Sequence, residues 1–264
     1  MRVTVLSENT TSTPLCRAEH GLSLYIETAS KRILFDMGQS DLFAKNAMAL
    51  DVDVSKVDYC VLSHGHYDHG GGLEEFLRLN AKAPVYMSSR AFADYYNASD
   101  KYIGLDKSLV GDERFVFTDS ETFAIESGIS LICLNNKIST EKIDSAGLTV
   151  ETNGVKNPDV FLHEQYLVIE ERGRRVVFSG CSHKGAVNIA KLLNPDVFIG
   201  GFHFSKIETE GAGALRLASA AAELLSLGAD FYTCHCTGLA QYRYLKSLMG
   251  ERLNYISTAQ VLEI

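Results

Sequence analysis

The chain has 264 residues, of which 46% are hydrophobic, and its formal net charge is −8 at pH 7. This composition is ordinary for a globular protein with a substantial core, and no apolar run is long enough to span a bilayer. The acidic balance argues against a general nucleic-acid surface, but it does not exclude an anionic substrate, because a bound metal ion can dominate its local field.

The amino-terminal part predicts a strand hairpin followed by strand–helix units. Val3 to Leu6 is predicted as a first strand, and Leu22 to Glu27 alternates apolar and polar residues as a half-buried strand does. Arg32 to Asp36 completes an antiparallel hairpin with that second strand. A helix from about Leu42 to Leu50 follows, and the apolar run Tyr59 to Leu62 predicts the next strand, which is buried.

Four residues of metal-binding types follow this buried strand directly. They are His64, His66, Asp68 and His69, and a helix is predicted from Leu73 to Leu79 after them. Neutral imidazole and carboxylate are usual ligands of first-row metals. Because alternate side chains of an extended segment point the same way, His64 and His66 can share one metal, and Asp68 and His69 could face a second. A polar loop with solvated histidines is the other interpretation, and the density of the motif argues against it.

The middle of the chain, residues 97–157, shows no clear periodicity. A strand at Pro84 to Met87 and a short helix at Arg90 to Tyr95 are predicted just before it. Inside it, strands are predicted at Arg114 to Phe117 and at Ile129 to Leu134. A long irregular segment is often a lid or substrate loop. The alternative is a surface excursion whose aromatic residues cover a small core of their own.

The carboxyl-terminal part predicts a second hairpin followed by strand–helix units. We expect this part to resemble the first in its order of strands and loops, although the two parts share no visible repeat of residues. The predicted strands are Tyr166 to Glu170, Val176 to Ser179, Pro195 to Gly200, Ala229 to Cys234, Asn254 to Ile256 and Gln260 to Ile264. The predicted helices are Ala186 to Leu193, Ala212 to Leu227 and Leu239 to Met249.

Further candidate ligands lie at the ends of these strands. They are His163, Cys181, His183, His203 and His235. His203 follows a strand, and it could be a ligand, a general acid or a substrate contact, because the pKa of histidine lies near neutrality. The alternative is a packed histidine that hydrogen-bonds to the backbone.

Two lysines lie close to these histidines in the sequence. Lys184 and Lys206 could meet an anionic substrate, and either could equally be a solvated surface charge.

Several segments together resemble a known family. The H-x-H-x-D-H motif after an apolar strand, preceded by Asp36-Met37-Gly38, resembles the metallo-β-lactamase superfamily. The segments Phe178 to Gly185, Gly200 to His203 and Cys234 to Gly238 resemble one branch of it. That branch contains metal-dependent hydrolases and the archaeal 7,8-dihydropterin-6-methyl-4-(ribofuranosyl)aminobenzene-phosphate synthase. The resemblance runs over nearly the whole chain.

The resemblance implies both a fold and a set of ligands. Strands with helices on both sides fit an α/β fold, a four-layer αββα sandwich of two mixed sheets, and we expect residues 1–264 to form one domain. His235 resembles the final histidine of the superfamily pattern, and His163 is implied as a third ligand of the first metal. Asp36 is implied as the carboxylate that holds a ligand histidine by its other ring nitrogen.

One position departs from the superfamily pattern. Cys181 stands where a bridging Asp is expected, so Cys181 could bridge as a thiolate, or His183 could reach the metal instead. The alternative is a buried, inert thiol at a tight turn. A thiolate favours softer ions such as zinc over manganese. We therefore expect zinc, at two sites, with manganese or iron as the other candidates.

Three functions remain open from the sequence. The first is metal-dependent hydrolysis of an ester, phosphoester or similar small-molecule bond, with Asp68 as ligand and orienter of the nucleophile and His203 as proton donor. The second is a transferase that joins a hydroxymethyldihydropterin diphosphate to an aminobenzene ribofuranosyl phosphate, with a flat ring stacked on aromatic residues. The third is a non-catalytic sensor of a metal or ligand, against which the dense motif argues.

The expected surroundings of the protein follow from the same features. Six cysteines in a chain of this size do not indicate a disulfide scaffold, and the residues after Met1 become polar too soon for a signal peptide. We therefore expect the reducing cytoplasm. The expected partner is a small molecule, anionic or pterin-like, rather than nucleic acid or membrane, and homo-oligomerisation is left open.

Overall fold

Strands and helices alternate through most of the chain. The computed structural model describes residues 1–139 and 143–264. The strands are β1 (Arg2–Ser7), β2 (Ser23–Glu27), β3 (Arg32–Phe35), β4 (Tyr59–Val61), β5 (Val85–Met87), β6 (Asp94–Tyr96), β7 (Phe115–Phe117), β8 (Thr122–Glu126), β9 (Ile129–Ile132), β10 (Thr149–Thr152), β11 (Val155–Pro158), β12 (Tyr166–Glu171), β13 (Arg174–Ser179), β14 (Val197–Gly200), β15 (Asp230–Thr233), β16 (Leu253–Tyr255) and β17 (Val261–Glu263). The helices are α1 (Leu42–Ala49), α2 (Tyr67–Gly70), α3 (Leu73–Leu79), α4 (Ala186–Leu193), α5 (Gly211–Ser226) and α6 (Leu239–Met249).

Two seven-stranded sheets carry the fold, in the orders β17-β1-β2-β3-β4-β5-β7 and β16-β15-β14-β13-β12-β9-β8. In the first sheet β1, β2 and β3 are antiparallel, whereas β3, β4, β5 and β7 run parallel. In the second sheet β9, β12 and β13 are antiparallel, and β13 to β16 run parallel. The two halves of the chain therefore share an order of pairing, and the predicted α/β class with two mixed sheets is confirmed.

Alternation along the strands sorts the apolar side chains into layers. On β4, Tyr59 and Val61 join a core between the two sheets, while Cys60 joins a second core on the outer face of the first sheet. Phe35 and Phe178 meet in the core between the sheets, with ring centroids 6.0 Å apart. Helices α1 and α3 cover the outer core of the first sheet, and α4, α5 and α6 cover that of the second. This is the predicted four-layer αββα sandwich.

The predicted short helix from Arg90 to Tyr95 is wrong. Residues Asp94–Tyr96 form strand β6, which pairs antiparallel with β10 in a three-stranded sheet completed by β11. The two tyrosines favour an extended backbone, and the partner strand lies far along the chain, so that a local reading could not find it.

The stretch 97–157, for which both a lid or substrate loop and a surface excursion with a small core were considered, divides among three sheets. Its strand β7 joins the first large sheet, and β8 and β9 join the second. Its strands β10 and β11 belong to the small sheet with β6, where Tyr95 and Leu148 pack against Phe161. Residues 140–142 of the predicted loop lie outside the described residues.

The carboxyl ends of the central strands meet at one edge of the sandwich. In the first sheet β3 and β4 end at Phe35 and Val61, and in the second β13, β14 and β15 end at Ser179, Gly200 and Thr233. Loops that follow these ends therefore converge. In residues 1–139 and 143–264 no helix is long and apolar enough to cross a membrane.

Candidate metal centre

Buried histidines gather where these loops converge. The first group comprises His64 and His66, which follow β4, and His183, which follows β13. Their ligand atoms all lie within 4.8 Å of one another, and the Nε2 atoms of His64 and His183 are 3.3 Å apart. All three side chains are almost wholly buried. The group has the composition of a three-histidine metal site.

A second group lies directly beside the first. It comprises Asp68, His69, Cys181 and His235, whose ligand atoms also lie within 4.8 Å of one another. Cys181 Sγ is 3.2 Å from His69 Nε2, and Asp68 Oδ2 is 3.2 Å from His235 Nε2. The rings of His64 and His69 are 4.1 Å apart, centroid to centroid. The two groups could therefore hold neighbouring ions.

Cys181 and His183 fall into different groups. The sequence left open which of the two completes the centre, and the structure brings Cys181 to the second group and His183 to the first. Ser182 between them has φ +57°, a left-handed conformation that turns the chain sharply. The turn carries the two neighbouring side chains to different ligand groups.

Hydrogen bonds fix the orientation of three of the histidines. Asp36 Oδ2 lies 2.7 Å from both His69 Nδ1 and Ser63 Oγ, and Ser63 Oγ lies 2.8 Å from His64 Nδ1. Because Asp36 accepts the Ser63 hydroxyl proton, the network assigns Nδ1–H to both histidines and leaves each Nε2 lone pair toward the ligand groups. Asn9 Oδ1 does the same for His235, since it lies 2.8 Å from His235 Nδ1. Asp36 thus occupies the supporting position that the resemblance implied.

The electrostatics of the site favour a cation. Burial lowers the pKa of His64 well below its usual value and that of His66 to about 3, which keeps both imidazoles neutral as ligands must be. Burial alone would raise the pKa of Asp68, but His69 and its neighbours hold it well below its usual value. Burial alone would lower the pKa of His69, but Asp36 and Asp68 outweigh it and raise that pKa. Carboxylates that stabilise an imidazolium would stabilise a metal ion equally well.

Two buried nitrogens of the ligand groups lack a hydrogen bond of good geometry within the described chain. His66 Nε2 has no partner, and His235 Nε2 faces the Asp68 carboxylate at 3.2 Å without such a bond. A buried polar atom without a hydrogen bond costs about 1–3 kcal/mol, so two of them in one place need an explanation. Metal coordination would supply it, because the donor set of histidine nitrogens, one thiol and one carboxylate suits zinc. The residues present therefore fit the metal that the sequence predicted.

His163 lies in a different environment from the one predicted. Its Nδ1 accepts a hydrogen bond from the Gly65 N–H at 2.8 Å, and its Nε2 is 3.2 Å from Asp159 Oδ2. It stacks on Tyr95 with ring centroids 4.0 Å apart. His66, Asp159 and His163 also form a group of ligand types, but both ring nitrogens of His163 already have partners. The structure thus joins His183, rather than His163, to the pair His64 and His66.

Two fully buried glutamates hold the backbone of the ligand loops. Glu164 Oε1 accepts the His183 N–H at 2.7 Å, and its Oε2 accepts the Tyr166 hydroxyl at 2.5 Å. Glu8 Oε1 accepts the His235 N–H at 2.7 Å and the Tyr255 hydroxyl at 2.6 Å. Each carboxylate therefore binds the main chain of one metal-site histidine.

Sequence reasoning missed these supporting residues. Glu8 and Asn9 follow β1 as Asp36 follows β3, and polar residues directly after an apolar strand were the available signal. Their partner His235 is more than 200 residues away, with a separation of 227 from Glu8, so the role itself is visible only in the fold.

Lys184 also lies inside the protein. Its side chain is 2% exposed, and its Nζ donates to the Glu164 carbonyl at 3.1 Å. Lys184 is therefore not the solvated surface charge that was one of its two predicted interpretations, and its bond to Glu164 supports the loop that carries His183.

We expect Glu164→Gln to weaken metal binding by about 10–100-fold, because supporting hydrogen bonds contribute on that scale. The carboxylate accepts hydrogen bonds on both oxygens, whereas the amide that replaces it can accept on only one side and must turn its NH2 group toward the His183 N–H or the Tyr166 hydroxyl. This clash of two donors should lower the free energy of unfolding of the metal-stripped protein by about 2 kcal/mol. Zinc titration and denaturant unfolding measure the two effects. Glu170→Gln, at the exposed position of β12, is the matched control; equal effects in both variants would contradict the positioning role.

Two further histidines border the ligand groups. His20 Nε2 is 3.2 Å from Asp68 Oδ2, and the His20 side chain is 53% exposed, so it lies between the centre and solvent. The His203 ring is 4.4 Å from that of His183. Burial, and then the charge of Lys206, lowers the pKa of His203 to about 4. A neutral His203 near pH 7 would hydrogen-bond to a substrate rather than deliver a proton from an imidazolium.

Comparison with known proteins identifies the family. The family model described as the Metallo-beta-lactamase superfamily matches residues 17–225. The chain belongs to the metallo-beta-lactamase superfamily. The resemblance seen in the motifs is thereby confirmed.

Two proteins of similar sequence and one solved structure match most of this chain. It is 30% identical over 197 residues to "Uncharacterized protein MJ0448" of Methanocaldococcus jannaschii, covering 70% of this chain and 73% of that one. It is 29% identical over 245 residues to the 7,8-dihydropterin-6-methyl-4-(beta-D-ribofuranosyl)-aminobenzene-5'-phosphate synthase of the same organism, covering 84% and 82%. The crystal structure of Tm1679, described as a metal-dependent hydrolase of the beta-lactamase superfamily, matches with a TM-score of 0.85 and 29% identity over 100% of this chain and 99% of that one.

Proposed function

We propose that this protein is a metal-dependent hydrolase of a small-molecule ester or phosphoester. The observation that carries the proposal is the pair of adjacent buried ligand groups, His64, His66 and His183 beside Asp68, His69, Cys181 and His235. Zinc at such a centre lowers the pKa of water and polarises a carbonyl or phosphoryl oxygen.

The residues of the chain have separate roles in this proposal. Asp68 serves as a ligand, and its carboxylate orients the nucleophile by accepting a hydrogen bond. His203, at the rim beside His183, contacts the substrate through a neutral imidazole. Asp36 keeps His69 and, through Ser63, His64 in the ligating orientation.

The test is activity on a panel of chromogenic esters, phosphomonoesters, phosphodiesters and lactones. Zinc-loaded protein should hydrolyse at least one class, chelation should abolish the activity, and added zinc should restore it. A fully loaded protein that is inactive on every class would contradict the proposal and favour a non-catalytic sensor of a metal or ligand.

The second candidate is a transferase, favoured by the 29% identity to the dihydropterin synthase over most of both chains. Incubation with a hydroxymethyldihydropterin diphosphate and the aminobenzene ribofuranosyl phosphate separates the two functions. A transferase yields the condensed product and diphosphate, whereas a hydrolase yields the free alcohol. Mass spectrometry of the products decides, and absence of the condensed product contradicts the transferase.

A further inference from the structure

A cavity of about 310 Å³ opens beside the first ligand group. Its wall includes His183 of that group and His203 at the rim, together with Phe204 and Ile207 from the loop after β14. The cavity therefore adjoins the first ligand group through His183. Its volume suits a small molecule rather than a polymer.

The charges around the cavity are mainly positive, in a chain whose net charge is −8. Lys206 and Arg216 contribute cations to the wall, and Asp144 is its acidic residue. Lys206 forms no ion pair within residues 1–139 and 143–264, and the Arg216 guanidinium lies 3.7 Å from Asp144 with both side chains largely exposed. An exposed pair of this kind is weak, so Arg216 remains available to a ligand.

Two features of the polar wall point to a ligand. His183 Nδ1 is a buried atom with no hydrogen-bond partner in the described chain, and the His183 side chain is more than nine-tenths buried. His203 has φ +56°, a left-handed conformation that is uncommon outside glycine and clusters at binding sites. Neither ring nitrogen of His203 hydrogen-bonds to any described residue. The wall thus offers polar atoms that the protein itself does not satisfy.

The backbone adds a third feature. Helix α4 begins at the cavity, its N-cap Gly185 has no side chain to cap the first turn, and that turn contains no acidic residue. The N-terminus of a helix carries a partial positive charge and free N–H groups, which favour an anion.

We propose that this cavity binds the phosphate or diphosphate group of the substrate, with Lys206 and Arg216 as its cationic contacts. The proposal rests on the proposed function in that it names the substrate class of the same centre, a phosphorylated small molecule. Planar guanidinium and ammonium groups recognise phosphate by charge-assisted hydrogen bonds. Phe204 and Ile207 would contact the organic part of the molecule.

The probe is inorganic phosphate, titrated into zinc-loaded protein by calorimetry. Wild type should bind phosphate, and Lys206→Ala/Arg216→Ala should weaken binding by about tenfold or more, because the loss of one good charged hydrogen bond already costs about that factor. The matched control is Lys82→Ala/Arg243→Ala, which removes two exposed cations that do not line the cavity. Lys206→Arg should retain affinity. Zinc content is measured for every variant and should stay equal to that of wild type, because neither Lys206 nor Arg216 belongs to a ligand group.

Phosphate affinity that is equal in the cavity variant and in the control would overturn the proposal, as would wild type that binds no phosphate. A second measurement compares KM for p-nitrophenyl phosphate and p-nitrophenyl acetate, and only the former should rise in the cavity variant. The calorimetric result is independent of turnover. If wild type binds phosphate, the cavity variant does not, and neither protein hydrolyses any substrate, the subsite is sustained and the proposed function is refuted. If wild type is an active hydrolase and the cavity variant has unchanged KM values for both substrates, the proposed function is sustained and the subsite is refuted.

Discussion

Alanine at both His64 and His66 should abolish activity and remove the metal of the first group. Both side chains are buried, and they supply two of the three nitrogens of that group. His183 alone offers one ligand there, which is too few to hold an ion against water. We expect metal content, measured by mass spectrometry of untagged protein, to fall by at least one equivalent, and hydrolysis to fall below detection.

The folded state of this double variant should survive. Burial lowers the pKa of both histidines, so their neutral rings contribute packing rather than charge pairs. The free energies of unfolding of the metal-stripped variant and of metal-stripped wild type should therefore differ by much less than the stabilisation that bound metal gives wild type. Zinc at 1,000 times its dissociation constant stabilises wild type by about 4 kcal/mol, and the variant should gain clearly less. A full complement of metal in the variant would sink the assignment of the first group.

Replacement of Cys181 should change the second group and leave the first intact. Its sulfur lies 3.2 Å from His69 Nε2, inside the group that also contains Asp68 and His235. Cys181→Ser should weaken metal at that position by more than about 100-fold, since loss of a residue that merely supports a ligand already costs 10–100-fold. Cys181→Asp, which restores the residue expected in the superfamily, should retain two ions but shift preference from zinc toward manganese.

Cobalt substitution gives a direct readout of this prediction. Wild type should show the charge-transfer absorption of a cobalt–thiolate bond, and both Cys181 variants should lack it. Cys133→Ser is the matched control, because the Cys133 thiol is buried and donates to the Ser120 carbonyl away from both ligand groups. Thiolate absorption that persists in Cys181→Ser would contradict the assignment and point to a neighbouring cysteine.

Local patterns in the sequence predicted much of the fold. Strands such as Leu22 to Glu27 and helices such as Ala186 to Leu193 were found from periodicity, because one face of each packs on a core. The exception at Asp94–Tyr96 is a strand stabilised by pairing with β10, a contact that local sequence does not contain. In the stretch 97–157 the predicted strands at Arg114 to Phe117 and Ile129 to Leu134 are present as β7 and β9, whereas β10 was not predicted, because its partner β6 lies far away in the sequence.

The motif from His64 to His69 indicated, by sequence alone, a candidate metal-binding loop after a buried strand, and with the later motifs it identified the superfamily. The sequence could not decide how the remaining ligands divide between two positions. That division follows from the left-handed turn at Ser182, which separates Cys181 from His183, and from carboxylates such as Glu8 that bind a histidine backbone 227 residues away. Ligand geometry depends on angles and on contacts between distant strand ends, and only the packed sheets bring those ends together.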